Sequence, residues 1–372
     1  MKFSVSKDDL SKALKKCIGA VDARANLPVL SCFKITANDD AVTIEATDLS
    51  IFIRTAIKAS VAEPGAMAVA AKKLTQIVSA LPNDAILFES VNGDDGSIQK
   101  VSIACRKSNY ALVCMGVTDY PSAVEVASEL SFSINAAALI RNMALVSYAR
   151  SDDESRKQLN GVLCSLRSGT MTIAATDGRR LAMTEMKLAE ESAATADADA
   201  ILPADFVANF SRMVEGGAEG DIKVAMNNAM MSFSMSNTTI ITKLIEGTYP
   251  NFRQVIPAST KTTARVARQP LLDIINRVAM VTDEGAVSVN VTMADGQLTA
   301  EAKSALVGEA SEVIDAGYDG EPIGISFNPL FFIEPLKNMD CEILEMKFND
   351  ESGPCIITDN EGFVYVMMPM RK

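Results

Sequence analysis

The feature that most constrains this chain is an internal repeat. Residues 41–48 read AVTIEATD and residues 170–177 read TMTIAATD. Each stands behind a helical segment and an apolar strand: LSKALKKCIGAV (10–21) and PVLSCFKITA (28–37), then AALIRNMALVSYA (137–149) and GVLCSLRS (161–168). A fainter third copy runs PLLDIINRVAMV (270–281), AVSVNVTM (286–293) and QLTAEAKS (297–304), with the ATD text reduced to Ala302, Lys303 and Ser304. The second halves repeat as well. A helix at KKLTQIVSAL (72–81), PADFVANFSRMV (203–214) or NPLFFIEPLKNM (328–339) is followed each time by three short alternating strands. A unit that recurs in tandem buries its apolar face against its neighbours, so the repeat dictates the architecture.

Each of the three copies carries two amphipathic helices and about six to eight strands of period two. Strands come in runs rather than in strict alternation with helices, which predicts an α+β fold with antiparallel sheets. The 372 residues divide into copies with boundaries at 1–125, 126–249 and 250–372. DYP at 119–121 and TYPNF at 248–252 close the first two copies, with linkers expected near 122–130 and 246–258. Ser6 with Asp9 reads as a capping box, Pro270 and Pro329 suit a first helical turn, and EESAATADADA (190–200) reads as a disordered loop.

Composition then narrows the chemistry. The chain has no histidine, which removes Ser-His-Asp and Cys-His catalysis and His-ligated zinc. Its seven cysteines form no CxxC pair and sit in apolar text, as buried free thiols in a reducing compartment do. The N-terminus lacks the apolar core of a signal peptide, and no apolar run is long enough to span a membrane, so a cytosolic protein is expected. The acid clusters at Ser151-Asp152-Asp153-Glu154 and Asn92-Gly93-Asp94-Asp95-Gly96 read as solvated turns, and GGAEG (216–220) as a connecting turn. No metal site, cofactor or catalytic group emerges. A metal-dependent nucleic-acid enzyme using Asp152, Asp153 and Asp177 is the alternative in another class, and a repeat scaffold binding only peptides is a third.

The formal charge of −12 argues against non-specific binding to phosphates, yet its distribution is uneven. Residues 7–24 hold Lys7, Lys12, Lys15, Lys16 and Arg24 against Asp8, Asp9 and Asp22. Residues 135–150 hold Arg141 and Arg150 with no acid, and residues 264–281 hold Arg265, Arg268 and Arg277 against Asp273. Three basic first helices on one face would give an acidic molecule a basic surface; the bland alternative is the solvated side of amphipathic helices.

With the repeat, ATDGRRLA at 175–182, TYPNFRQVIP at 248–257 and YVMMPMRK at 365–372, the whole chain resembles the bacterial DNA polymerase III beta subunits, the sliding clamps. The resemblance implies the DNA clamp fold: a head-to-tail homodimer closing into a ring, with helices lining the hole. It implies a non-catalytic processivity factor that encircles double-stranded DNA without reading sequence. The polymerase catalytic subunit and clamp-loader subunits would bind through a short linear motif, and an ATP-driven loader would open the ring.

Residue by residue, the resemblance assigns the partner pocket to Leu159, Thr176, Gly178, Arg179, Arg180, Leu181, Pro250, Val255, Val366, Met368, Pro369, Met370 and Arg371. DNA contacts fall on Arg24, Lys72, Lys73, Arg156, Lys157 and Gln158. The dimer seam places Tyr110 and Leu112 of one chain against Leu271 and Leu272 of the other. The chain departs from the family pattern at Arg179, where a histidine often stands, which bears on motif preference and pH response. It departs again at Lys157 and Gln158, where aromatics often stand, so charge replaces base stacking there.

Overall fold

The computed structural model describes residues 1–92, 98–123, 125–188, 197–214, 220–282, 287–359 and 361–370. The first copy runs β1 (Lys2–Ser6), α1 (Lys7–Cys17), β2 (Cys32–Asn38), β3 (Ala41–Thr47), β4 (Ile51–Lys58), β5 (Ser60–Glu63), β6 (Gly65–Ala70), α2 (Ala71–Ala80), β7 (Ala85–Asn92), β8 (Ile98–Cys105) and β9 (Ser108–Met115). The second runs β10 (Leu130–Asn135), α3 (Ala136–Ser147), β11 (Gly161–Arg167), β12 (Thr170–Thr176), β13 (Arg180–Lys187), β14 (Ala198–Pro203), α4 (Ala204–Val214), β15 (Asp221–Met226), β16 (Met230–Met235) and β17 (Thr238–Lys243). The third runs β18 (Thr262–Ala267), α5 (Arg268–Val278), β19 (Val289–Ala294), β20 (Gln297–Ser304), β21 (Gly308–Gly317), β22 (Ile323–Phe327), α6 (Leu330–Asn338), β23 (Ile343–Phe348), β24 (Cys355–Thr358) and β25 (Phe363–Met367).

The repeat is therefore finer than its text. Each copy is two βαβββ halves, with β5 as an insertion in the first. The halves of a copy interlock, because the first strand of each pairs with the second strand of the other: β1 with β7, β6 with β2, β10 with β15 and β14 with β11. The third copy repeats this with β18–β23 and β22–β19. Every ladder among the described residues is antiparallel, as the clustering of strands implied.

The chain forms two compact units, and these cut across the three copies. One contains Met1–Ile140 and Asp205–Leu244 and carries the thirteen-stranded sheet that begins at β10 and ends at β5. The other contains Arg141–Leu188, Thr195–Ala204 and Ile245–Lys372 and carries the twelve-stranded sheet from β14 to β22. The cut falls inside the second copy because each of its ends is laddered to a neighbour. In the first unit β4 pairs with β17, and in the second β13 pairs with β25.

Helix formation follows apolar spacing. In α1, Leu10, Ala13, Leu14 and Cys17 lie on one buried stripe, with Asp8 and Asp9 at the positive end of the dipole and Lys15 and Lys16 at the negative end. In α4, Phe206 and Phe210 stack on Phe233 of β16 with ring centroids 5.2 and 4.9 Å apart, a dense aromatic core in the first unit. In α6, Pro335 interrupts the backbone ladder, and Arg268 donates to the Leu336 carbonyl at 2.6 Å and the Cys341 carbonyl at 3.0 Å, satisfying acceptors at the helix end.

Three local expectations fail. Ser6 is extended at the α1 N-cap but makes no side-chain capping bond, because β1 runs straight into the helix. The stretch 246–258 is not a free linker: Tyr249 is buried, and Phe252–Val255 form a 3-10 turn. Residues 197–200 are described and Ala198 opens β14, whereas 190–196 lie outside the described residues. Asp94, Asp95 and most of GGAEG (216–220) also lie outside them.

Six of the seven cysteines are buried and Cys341 is half-buried; all are free thiols. Burial pushes Cys114 up to about 11 and Cys164 to about 12, so neither forms thiolate at neutral pH. A thiol reagent at pH 8 is expected to titrate about one cysteine per native chain, with the rest reacting only in denaturant. Rapid modification of several thiols in the native chain would contradict this packing.

Candidate functional site

The turn that carries the repeated ATD text is built from side-chain-to-backbone bonds. Thr176 Oγ1 donates to the Arg180 carbonyl at 2.6 Å and accepts from Gly178 N at 3.1 Å. Asp177 Oδ1 accepts from the backbone N–H of Arg179 at 2.8 Å and of Arg180 at 2.9 Å. Short polar side chains that replace ladder bonds in this way are what Thr and Asp supply at strand ends. Gly178 completes the turn at φ 87°, a conformation that favours glycine. Thr47 and Asp48 of the first copy make the same four bonds at 2.6–3.0 Å. In the third, Ser304 Oγ alone accepts from Leu306 and Val307, which is why the text decays there.

In the second unit this turn borders a cavity of about 70 Å³ lined by Thr176, Gly178, Arg179, Arg180, Leu181, Val255, Val366 and Met368. Its floor is apolar: Leu181 and Val366 pack with Ala174, Met183 and Ile356, backed by Phe252 and Ile256. The Tyr249 hydroxyl accepts from Thr176 N at 3.1 Å, locking the turn to the TYPNF segment. Met368 N donates to the Arg179 carbonyl at 2.9 Å, so the chain end continues along the turn and forms one wall.

The two arginines have different roles. Arg180 is nearly buried, and its guanidinium bonds Asp177, Glu334 and the Tyr148 carbonyl while lying 4.8 Å from the Phe331 ring. Burial opposes its charge, yet the hydrogen bond to Glu334 and the fields of neighbouring groups hold its pKa above the usual value. It therefore positions the turn. Arg179 is exposed and has no ion-pair partner among the described residues, so it is the cation left to meet a ligand.

All eight lining residues were expected from sequence. Of the remaining five, Leu159 packs a layer behind, against the Leu163–Ile201–Tyr249 cluster with Phe252. Pro250, Pro369 and Met370 do not line the cavity, and Met370 N is tied to the Ser326 carbonyl at 2.8 Å. Arg371 lies outside the described residues.

The basic-helix expectation holds in one copy only. Lys12, Lys15, Arg24, Lys72 and Lys73 are exposed with no side-chain ion pair among the described residues, and α1 packs beside α2. In the second copy Arg141 is paired with Asp340 and Glu361 at 3.1 and 3.2 Å, and Arg150 with Asp152 at 2.6 Å. In the third, Arg265 and Arg277 pair with Glu345 and Glu312, and Arg268 is spent on carbonyls. Counting charges within a helix missed acids outside it: Asp152 just beyond α3, Asp340 and Glu361 in distant loops, and Glu312 and Glu345 in strands. Arg156 is exposed but leans on Asp153 at 3.5 Å, Lys157 is exposed, and Gln158 packs against Gly247, where a Cβ would sit 2.7 Å from its amide.

The seam residues also separate. Tyr110 is exposed and Leu112 half-exposed, whereas Leu271 and Leu272 belong to the α5 core behind β21 and present almost no surface. Asp152, Asp153 and Asp177 are each tied to their own turns, and no three metal-ligating side chains cluster among the described residues.

Comparison with known proteins follows this geometry. Profiles of the DNA polymerase III beta subunit match in three consecutive stretches: the N-terminal domain over residues 1–124, the central domain over 133–251 and the C-terminal domain over 253–371. The beta sliding clamp of Chlamydia muridarum is 31% identical over 371 residues, covering 100% of this chain and 99% of that protein. That of Vibrio cholerae is 25% identical and covers 100% of both. Among solved structures, a Pseudomonas aeruginosa sliding clamp bound to griselimycin has a TM-score of 0.93 at 27% identity, and covers 100% of both chains. A DNA polymerase III beta subunit from Eubacterium rectale, described as putative, has a TM-score of 0.91 at 26% identity with the same coverage.

The division of labour between the arginines is measurable. Arg180→Ala leaves Glu334 and the Tyr148 carbonyl without their partner and is expected to cost about 3 kcal/mol. Arg179→Ala is expected to stay within ~0.5 kcal/mol of the wild type. Denaturant unfolding of both variants checks this; equal stabilities would overturn the assignment.

Proposed function

The chain belongs to the DNA polymerase III beta subunit family, the beta sliding clamps, and on that premise we propose that it is a replication clamp that closes around DNA as a head-to-tail homodimer. It holds a polymerase at the primer end without performing chemistry. The alternative of a metal-dependent nucleic-acid enzyme finds no support in carboxylates that are already committed to separate turns. We take the copy boundaries at 1–125, 126–249 and 250–372 and the cytoplasm as its place of action. No helix among the described residues is long and apolar enough to cross a membrane.

The observation that carries the ring is a rule the chain applies twice. The fourth strand of one copy pairs with the last strand of the next, β4 with β17 and β13 with β25. Applied a third time, β21 requires a β9 that its own chain does not supply. Over residues 308–315 and 108–113 these strands have no ladder partner on their outer edges among the described residues. Open edges of this kind are templates for pairing with another chain.

The register follows from the repeat. Phe52 lies opposite Thr47 as Gly308 lies opposite Ser304, and Thr238 follows its turn as Ser108 does. Because Thr55 pairs with Thr238, with hydroxyls 2.9 Å apart, Ser311 falls opposite Ser108 of the other chain. The same register brings Val113 and Leu112 to Leu306 and Val307, and Val113, Leu306 and Val307 are 72%, 90% and 63% exposed in the single chain, far more than a lone protomer gains from. Leu271 and Leu272, buried in the single chain, support β21 from behind.

Duplex phosphates are met by Arg24, Lys72 and Lys73, with Arg156 and Lys157 further contributors and Gln158 a packing residue. Contacts of this sort are sequence-blind and are screened beyond ~8 Å at physiological salt, which suits sliding. The cavity beside Arg179 takes a short linear motif from the polymerase catalytic subunit and from the clamp loader that opens the ring; tethering makes rebinding intramolecular.

Two experiments test this. On a nicked circle the loaded protein is expected to stay bound and to leave once the circle is linearised; retention on linear DNA would sink the encirclement. Ser108→Cys with Ser311→Cys is expected to oxidise to a covalent dimer, whereas Ser108→Cys with Ala310→Cys is not. The reverse result would move the register.

A further inference from the structure

The first unit holds a cavity of about 280 Å³ at the place matching the pocket described above, and nothing said so far uses it. Its walls include Leu49, Ile51, Phe52, Met230, Ile241 and Lys243. The bonds of the turn and of the adjoining ladder match one for one. The Thr47–Asp48 turn repeats that of Thr176–Asp177; Phe52 pairs with Ile241 as Leu181 pairs with Val366. Lys243 N donates to the Ser50 carbonyl at 2.9 Å, as Met368 N does to that of Arg179.

Two departures from the match point to a ligand. Leu49 stands where the other turn has Gly178, yet adopts φ 75°, in the left-handed region that favours glycine. It is also 46% exposed at the cavity mouth, so neither backbone preference nor core packing accounts for a leucine there. Strain of this kind at a surface points to a contact made outside the protomer. The second departure is charge. No acid lines the cavity, Lys243 is exposed with no ion pair among the described residues, and Arg54, 5.8 Å from the Phe52 ring, is already paired with Glu45.

We infer that this cavity is a second peptide-docking site, which takes a segment with adjacent aliphatic or aromatic side chains and a carboxylate beside them. The apolar pair enters over Leu49, Phe52 and Ile241, and the carboxylate meets Lys243. The site differs from the Arg179 pocket in having a lysine rather than an arginine as its free cation, a wider cavity and a leucine at the mouth, so the two share a class of ligand but rank its sequences differently. It does not rest on encirclement of DNA.

The test counts sites by calorimetry with full-length protein and a synthetic octapeptide carrying two central leucines followed by aspartate. Two sites per chain are expected, one weakened at least tenfold by Met368→Glu and the other at least tenfold by Leu49→Gly. Leu49→Gly relieves the backbone, so its melting temperature is expected to be no lower than the wild type's, which separates lost docking from lost folding. Replacing the aspartate by lysine weakens the Leu49-dependent site, and Lys243→Glu restores it. One site only, no site, or a second site indifferent to Leu49→Gly overturns the proposal. Loss of this site while the Met368-dependent one persists leaves the clamp reading intact.

Discussion

Everything in this chain depends on the pairing of a fourth strand with the last strand of the following copy. The ladder β4–β17 fuses the first copy to half of the second, and β13–β25 fuses the other half to the third. Neither junction relies on a linker. The Thr-Asp turn sets where each fourth strand begins, since its hydroxyl and carboxylate fix the backbone of Ile51 and of Arg180, the residues at which the two ladders start. A one-residue slip would send every side chain of that strand to the wrong face.

Much of the fold was legible because the relevant signals are local. Helices were placed to within a few residues, and QLTAEAKS marks β20 at its observed ends. Strands β4, β13 and β21 were not, although they are the ones that join copies. The strands that β4 and β13 meet lie more than a hundred residues away, the one proposed for β21 belongs to another chain, and nothing in their own text announces that. Strands β1, β6, β10, β14, β18 and β22 escaped for a different reason. Five of the six pass into their helices without a break, as Ser6 into Lys7, and where proline stands at the change, as Pro203 and Pro329 do, it reads as the start of the helix and leaves the strand before it unmarked.

The residues that line the cavity were named through the resemblance, on two motifs that the fold brings to one turn and one chain end. What sequence could not give was which charges are free. Arg141 looked like an unopposed base, but Asp340 and Glu361, some two hundred residues on, neutralise it. Arg180 looked like a free cation, and although it lines the cavity it is held by Glu334 and Asp177. Leu49 drew no notice, because only the backbone angle distinguishes it from an ordinary turn residue.

The turn itself has a consequence for how such a molecule can diversify. Its geometry is held by a threonine and an aspartate, while the residues after them, Leu49 and Ser50 in one copy and Gly178 and Arg179 in the other, take no part through their side chains. Folding information and recognition information therefore occupy separate letters of the same short word. A duplication that copies the word preserves the scaffold, and the letters after the threonine and aspartate are then free to drift, the first of them against its left-handed backbone angle, each copy acquiring its own vocabulary of ligands without renegotiating the fold.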